Sequence, residues 1–468
     1  SFLLLSLFGI TACSTFTELR QEFADRVFGR EPPNPPAELE DIQPTHSVKI
    51  DWSSNTGKTE TFDYTPALDS TAVYAANAEG EIYKLDPATG RQIWLVNVGE
   101  PISGGVGIGA GIVLVGSSKG NVFAYDVSGK QLWKAHLSSE ILSVPRYFDG
   151  VVIARSGDNR IYGLDAADGA RKWVYERINP ALTLRSSVGV VVDGGAIYAG
   201  FAGGKMVAIR ADNGKLIWEA TVAQPRGVTE IERIADITSL PVVDGALVYA
   251  VAYQGKIAAV DRASGRVLWN RDISSYSGLS AEDAKIFVSH TLGAVYSLDY
   301  TSGKTFWRQG ALSNRRLTAP LPMGDVIAVG DLEGYVHFLT REEGKFAARI
   351  QLDSNAVMSL IAGTKSNQLI AETRDGGLYA VSINQNNAKP TSTPALKPEA
   401  ESAPARITLP EPEVSPSEVQ APAVPESPAE PNSERSILFQ NNDSILLPDS
   451  NNQDNSGPGI RLPSPEQQ

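Results

Sequence analysis

Short stretches in which apolar residues alternate with polar or small ones recur through most of the chain, as in EIYKLD at 81–86 and NVFAYD at 121–126. A period of two places every second side chain on one face, which selects strand over helix. Each such stretch is followed by a turn carrying Asp and Gly and then by a tryptophan, as in LDPATGRQIW at 85–94. Aligned on that turn, the chain repeats itself: VYAANAEGEIYKLDPATGRQIW, VLVGSSKGNVFAYDVSGKQLW, VIARSGDNRIYGLDAADGARKW, IYAGFAGGKMVAIRADNGKLIW, VYAVAYQGKIAAVDRASGRVLW and IFVSHTLGAVYSLDYTSGKTFW. Two further copies, IAVGDLEGYVHFLTREEGKFAA and LIAETRDGGLYAVSI, lack the tryptophan.

The hairpin positions of the copies are Gly80, Gly120, Asn159, Gly204, Gly255, Gly293, Gly334 and Gly376, at spacings of 40, 39, 45, 51, 38, 41 and 42. A period near 40 built of short strands predicts an all-β fold, an eight-bladed β-propeller with one four-stranded antiparallel sheet per repeat. Glycine or Asn159 suits a hairpin that needs φ > 0. Asp86, Asp126, Asp165, Asp261 and Asp299 are expected to accept backbone N–H bonds across the next turn. Trp94, Trp133, Trp173, Trp218, Trp269 and Trp307 then enter outer strands, where a large ring packs between neighbouring blades.

Trp52 is the exception, since KIDWSSNTG has no hairpin before it, while the last repeat stops at GGLYAVSI with no outer strand after it. The N-terminal strand, about residues 47–53, is therefore expected to complete the eighth blade. Closure of that kind removes open sheet edges.

Composition changes sharply at both flanks. Residues 2–12, FLLLSLFGITA, form an apolar run too short to span a bilayer as a helix, and read as the h-region of a signal peptide over 1–12, without the charged start that usually precedes one. The single cysteine, Cys13, follows directly, so an intramolecular disulfide and a CxxC site are both excluded. The junction ITAC resembles a bacterial lipobox, which makes Cys13 the candidate lipid-attachment residue; the alternative is an incidental or buried cysteine. Ser14, where inner-membrane lipoproteins carry Asp, favours the outer membrane by the same resemblance.

Residues 13–45 then read as a tether, with a short helix around 16–28 and the stiff acidic spacer EPPNPPAELED at 31–41. The propeller is expected over 46–384. Beyond it, 385–468 holds 15 of the 29 prolines with 12 acids and 5 bases, too little apolar surface to offset chain entropy, and is expected to be disordered. Its two apolar islands, SILFQ at 436–440 and SILLP at 444–448, read either as a strand-forming recognition motif or as coincidence. The net charge of −13 excludes the basic footprint of a nucleic-acid binder.

Signals for catalysis are thin. His46, His136, His290 and His337 lack metal-ligand spacing, so no metal site is expected. GGVGIGAG at 104–111 precedes a strand, leaving no helix N-terminus for a phosphate; its small residues suit inner strands crowding at the propeller axis.

The repeat itself resembles that of the pyrroloquinoline-quinone dehydrogenases, which the resemblance would make an enzyme with a quinone over the central channel. That family needs a polar calcium-ligand cluster and usually a pair of adjacent cysteines, and is generally longer. No cofactor is therefore expected, and a binding platform is the better class.

Stretches outside the generic repeat, NPALTLRSSVGVVV at 179–192, GVTEIERIADITSLPVVDG at 227–245 and GDLEGYVHFL at 330–339, make the chain resemble the BamB family, the propeller lipoproteins of the outer-membrane β-barrel assembly machinery. The resemblance covers about residues 10–384. It implies a non-catalytic scaffold on the outer membrane, facing the periplasm, that binds the POTRA domains of the central barrel protein and aids insertion of β-barrel clients.

Carried over by motif, the partner contacts fall on Leu182, Leu184 and Arg185 of PALTLR and on Arg233, Asp236 and Thr238 of ERIADIT. The family commonly has a second acid where Thr238 stands. Leu182 and Leu184 beside Arg185 would form an exposed apolar anchor with a charge, or else would pack under their own loop. The longest spacings, 45 and 51, contain these loops, and extra length in a regular fold is where function tends to sit. The alternatives are a quinone-dependent dehydrogenase and a periplasmic propeller that binds another envelope component.

Overall fold

The computed structural model describes residues 34–59, 64–178, 182–184, 186–229 and 231–386. The signal-peptide run, Cys13, the helix expected around 16–28 and the tail with its apolar islands lie outside them. The described chain forms eight four-stranded antiparallel sheets. Strands a to d of each blade run in chain order from the axis outward, as in blade 3: Arg146–Phe148, Val151–Arg155, Ile161–Asp165 and Arg171–Tyr175. Blade 8 is the exception that closes the ring. Its strands a to c are Val357–Ala362, Gln368–Thr373 and Gly377–Gln385, and its outer strand is His46–Asn55, paired from His46↔Gln385 to Asn55↔Gly377.

No single core exists. Eight apolar clusters each sit at one junction between neighbouring blades, for example Leu114, Val122 and Trp133 with Val152, Ala154 and Tyr162 between blades 2 and 3. The junction of blades 8 and 1 joins Trp52 with Val73, Ala75 and Leu85.

The repeat motif makes those junctions. The Trp133 indole N–H donates to the Ala166 carbonyl at 2.8 Å, and a Cβ added at Gly169 would lie 2.7 Å from the Trp133 ring. Gly169 also has φ +76°, so the turn needs glycine twice over, for its backbone and for the ring laid on it. Trp52, Trp94, Trp173, Trp218, Trp269 and Trp307 donate in the same way to carbonyls of the following blade. The motif aspartates hold the turns: Asp86 Oδ1 accepts from Ala88 and Thr89, and Asp299 Oδ1 from Thr301 and Ser302.

A β-bulge precedes each of these tryptophans. In blade 3 the register steps from Gly163↔Trp173 to Leu164↔Arg171, leaving Lys172 unpaired, and blades 1, 2, 4, 5, 6 and 7 shift at the matching place. The extra residue turns outward, so Ile93, Leu132, Ile217, Leu268 and Phe306 are exposed while the next side chain faces the neighbouring blade.

Small residues at the axis do what the pattern predicted. A Cβ at Gly104 would lie 2.5 Å from the Ser143 carbonyl oxygen, and one at Gly107 1.9 Å from that of Pro145, so the inner strand Ile102–Gly109 lies directly against the next blade.

Strand alternation gives the ring two faces. One carries the b–c hairpins and the d–a connections between blades, and is termed here the loop face. The other, the turn face, carries the a–b and c–d turns. Among the described residues no helix is long and apolar enough to cross a membrane.

Candidate functional site

The two longest d–a connections follow Arg171–Tyr175 of blade 3 and Leu216–Thr221 of blade 4, so both lie on the loop face at adjacent junctions. They contain the residues expected to grip a partner. Arg185 and Cys13 lie outside the described residues; the other five are placed as follows.

Asp236 is the link between the loops. It is 5% exposed, and its Oδ2 accepts from the Leu184 backbone N–H at 2.8 Å while its Oδ1 accepts from that of Gly203 at 3.0 Å. Its own carbonyl accepts from the Tyr253 N–H at 2.9 Å. One carboxylate therefore ties the first loop, the b–c turn of blade 4 and the second loop together, with a further bond to blade 5. Thr238, two residues on, has its Oγ1 turned inward, with no hydrogen-bond partner among the described residues. Arg233 is exposed.

Leu182 is 45% exposed, whereas Leu184 is half-buried and lines a cleft of about 180 Å³ with Ser143, Arg155, Asn159, Thr183 and Ser186. The floor of that cleft is held by Arg155, whose Nη1 donates to the Gly200 carbonyl at 2.8 Å and Nη2 to Asn159 Oδ1 at 2.6 Å. Its guanidinium lies 4.6 Å from the Phe201 ring centroid. Burial lowers the Arg155 pKa to about 10, so it stays charged at neutral pH. Asn159, at the hairpin of blade 3, has φ +65°, as its place in the repeat requires.

The second loop braces itself. Glu232 Oε2 accepts from the backbone N–H groups of Val228 and Thr229 at 2.8 and 3.1 Å, and Thr229 Oγ1 accepts from the Glu232 N–H at 3.2 Å. The backbone bonds from Thr229 and Val228 hold the Glu232 carboxyl below the usual glutamate range. That reciprocal cap stiffens a turn whose apolar residues point outward: Val228 is 96% and Ile231 67% exposed. Ile178, at the start of the first loop, is 95% exposed beside the Arg177–Glu219 ion pair.

The sequence pattern did not single out Ile178, Val228 or Ile231. The available signal was an apolar residue in a long, otherwise polar connection, but exposure there depends on how the loop folds. With Leu182 and Leu240 they give the loop face a set of outward apolar groups rimmed by charge, the composition of a protein-binding surface. Among the described residues no group of three or more His, Cys, Asp or Glu is placed to hold a metal ion.

Comparison with known proteins gives the family and the fold. The family model described as outer membrane protein assembly factor BamB matches residues 78–309 and 291–391. Proteins of that name from Nitrosomonas eutropha and Pseudomonas aeruginosa are 37% and 40% identical to the chain. Those alignments cover 74% and 69% of the chain and 85% and 86% of the relatives. The crystal structure of BamB from Moraxella catarrhalis superposes with a TM-score of 0.67 at 27% identity, over 72% of this chain and all of that one. A quinohemoprotein alcohol dehydrogenase from Comamonas testosteroni, at 14% identity and TM-score 0.59 over 72% of this chain and 76% of its own, shares the fold. The chain belongs to the family of the outer membrane protein assembly factor BamB.

Proposed function

We propose that this protein is a non-catalytic scaffold that grips the periplasmic POTRA domains of the central barrel protein through the paired loops of its loop face and so aids insertion of β-barrel proteins into the outer membrane. The observation that carries the reading is the Asp236 carboxylate, which joins the two loops into one surface with Leu182, Val228, Ile231 and Arg233 outward. Leu182 and the exposed isoleucine and valine side chains supply the apolar contact, and Arg233 with Arg185 supplies charge at the rim. Asp236 acts by holding Leu184 rather than by touching the partner, because both of its oxygens are already used inside the protein. Thr238 turns its hydroxyl inward and offers the partner no polar contact. Cys13, acylated, anchors the chain in the outer membrane facing the periplasm, since three acyl chains at about 0.8 kcal/mol per buried methylene make a lasting anchor.

Pull-down of the acylated protein from detergent-solubilised envelopes tests this. The barrel protein is expected in the captured fraction, and Arg185→Glu is expected to reduce its recovery about tenfold, the effect of losing roughly 1.4 kcal/mol. Full recovery by that variant would remove Arg185 from the contact, and absence of the barrel protein from the wild-type capture would refute the reading.

A further inference from the structure

Seven of the blade junctions are stitched by a tryptophan laid on the next blade's c–d turn. The junction of blades 7 and 8 cannot be. Ala348 stands where blade 7 would carry its tryptophan, and blade 8 has no c–d turn because the two ends of the propeller meet there, at His46 and Gln385.

At this seam the segment 34–45 lies along the outer edge of blade 7. The Ala37 N–H donates to the Ser313 carbonyl at 2.9 Å, and the Thr45 N–H to that of Ala347 at 2.9 Å. Arg315 Nη1 donates to the Ala37 carbonyl at 2.7 Å and Arg349 Nη1 to that of Glu40 at 3.0 Å. Leu39 packs against the apolar cluster between blades 6 and 7. Arg315 is itself 2% exposed and fixed by Asp331 at 2.7 Å, so the segment rests on a rigid, buried support.

These contacts give the segment a direction. Ser313, Asn314 and Arg315 belong to the d–a connection between blades 6 and 7, on the loop face, and Asn314 Nδ2 donates to the Pro35 carbonyl at 3.3 Å. Ala347 is the second residue of the outer strand Phe346–Gln351 and Asp325 sits in an a–b turn, both at the turn face, and His46 Nε2 lies 3.0 Å from Asp325 Oδ2. The chain therefore enters on the loop face at Pro35, crosses the blade edge, and reaches the turn face at Thr45 before starting the outer strand of blade 8. At the other end, the strand Gly377–Gln385 finishes at the turn face, where the Asn386 N–H donates to the Thr45 carbonyl at 3.0 Å.

We infer that residues 35–45 are a docked strap that fixes the origin of the N-terminal tether on the loop face. That face, with its paired loops, is thereby turned toward the membrane, and the partner it grips is a protein lying between the propeller and the bilayer. Asn386, the last described residue, lies at the opposite face. The inference rests on the proposed acylation of Cys13. A chain of the length from Cys13 to Pro33 spans at most about 70 Å, which bounds the gap in which the partner sits.

The test uses the acylated full chain in vesicles of phosphatidylethanolamine and phosphatidylglycerol doped with a headgroup spin label. An environment-insensitive fluorophore is placed on Leu292→Cys, in the b–c hairpin of blade 6, or on Lys304→Cys, in the c–d turn of the same blade. Both positions are exposed. The label at 292 is expected to be strongly quenched and the label at 304 nearly unquenched. Leu39→Asp, which frees the strap, is expected to abolish the difference. Equal quenching of the two labels in the otherwise wild-type chain, or stronger quenching at 304, would overturn the inference, and that comparison stands even if the Leu39 variant does not fold. A folded Leu39→Asp protein that keeps the difference would overturn the role of the strap. Failure of the acylated chain to bind vesicles would overturn the anchor and this inference together.

Discussion

Two neighbouring residues show how the bulge divides labour in the outer strand. Trp133 is 7% exposed and packs between blades 2 and 3, whereas Leu132 is 45% exposed on the bulge. Trp133→Ala is expected to cost about 3–5 kcal/mol in chemical denaturation, and Leu132→Ala less than about 0.5 kcal/mol. Similar losses for the two would mean that the register step before the tryptophan is misplaced.

The histidines separate in the same way. His337 is fully buried, with Nε2 2.8 Å from Asp331 Oδ2 and Nδ1 accepting from Arg349 Nε at 3.0 Å, so it is the neutral Nε2–H tautomer. Burial pushes its pKa below the ordinary 6.5, against the pull of Asp331. The unfolded chain therefore takes up a proton first as pH falls, and stability that is complete above about 6.5 drains away below it. Burial alone would raise Asp331, but its bonds to His337 and Arg315 hold it below the ordinary 3.8, so its own loss comes later, below about pH 4. The melting temperature is expected to fall between about pH 7.5 and pH 5, and His337→Gln to flatten that slope while lowering stability at the upper pH. An identical slope in the variant would assign the loss to other groups.

Among elements, the two long connections matter because neither holds its shape alone. The first is pinned at Leu184 by a carboxylate from the second, which is itself capped by Glu232. Asp236→Ala would strand the Leu184 and Gly203 N–H groups, an expected loss of about 2 kcal/mol in stability. It is also expected to weaken capture of the barrel protein, although the residue is almost inaccessible. Asp236→Asn, which keeps one acceptor oxygen, should do less. Undiminished capture by the alanine variant would show that the loops act independently. The turn glycines, the aspartates before them and the tryptophans after them were all legible as elements because each acts within one repeat or between adjacent ones. The link from Asp236 to Leu184 was not, since it joins residues 52 apart in two different connections, with the whole of blade 4 between them.

At the scale of the molecule, the described chain begins beside the loop face, where Asn314 meets Pro35, and ends at the turn face, where Asn386 meets Thr45. Deleting residues 387–468 is therefore expected to leave both the melting temperature and capture of the barrel protein unchanged, as read by calorimetry and pull-down of the shortened chain. A clear drop in capture would place part of the partner contact in the tail. The outer strand His46–Asn55 belongs to this scale too, because it closes the ring by pairing with the last strand. An unpaired tryptophan at Trp52 and a missing last strand were enough to predict it.

Periodicity, turn chemistry and an odd tryptophan determined the strands, their number per blade, the number of blades and the way the ring shuts, because each of these follows from spacing along the chain. The same spacing marked the two connections that exceed the period. It did not decide which of their residues face out and which hold the loops together, nor that residues 34–45 lie along blade 7 where Ala348 replaces a tryptophan. Those features depend on contacts between segments that only the closed ring brings within reach. Whether a carboxylate such as Asp236 is a surface charge or an internal tie is decided by burial and hydrogen-bond geometry.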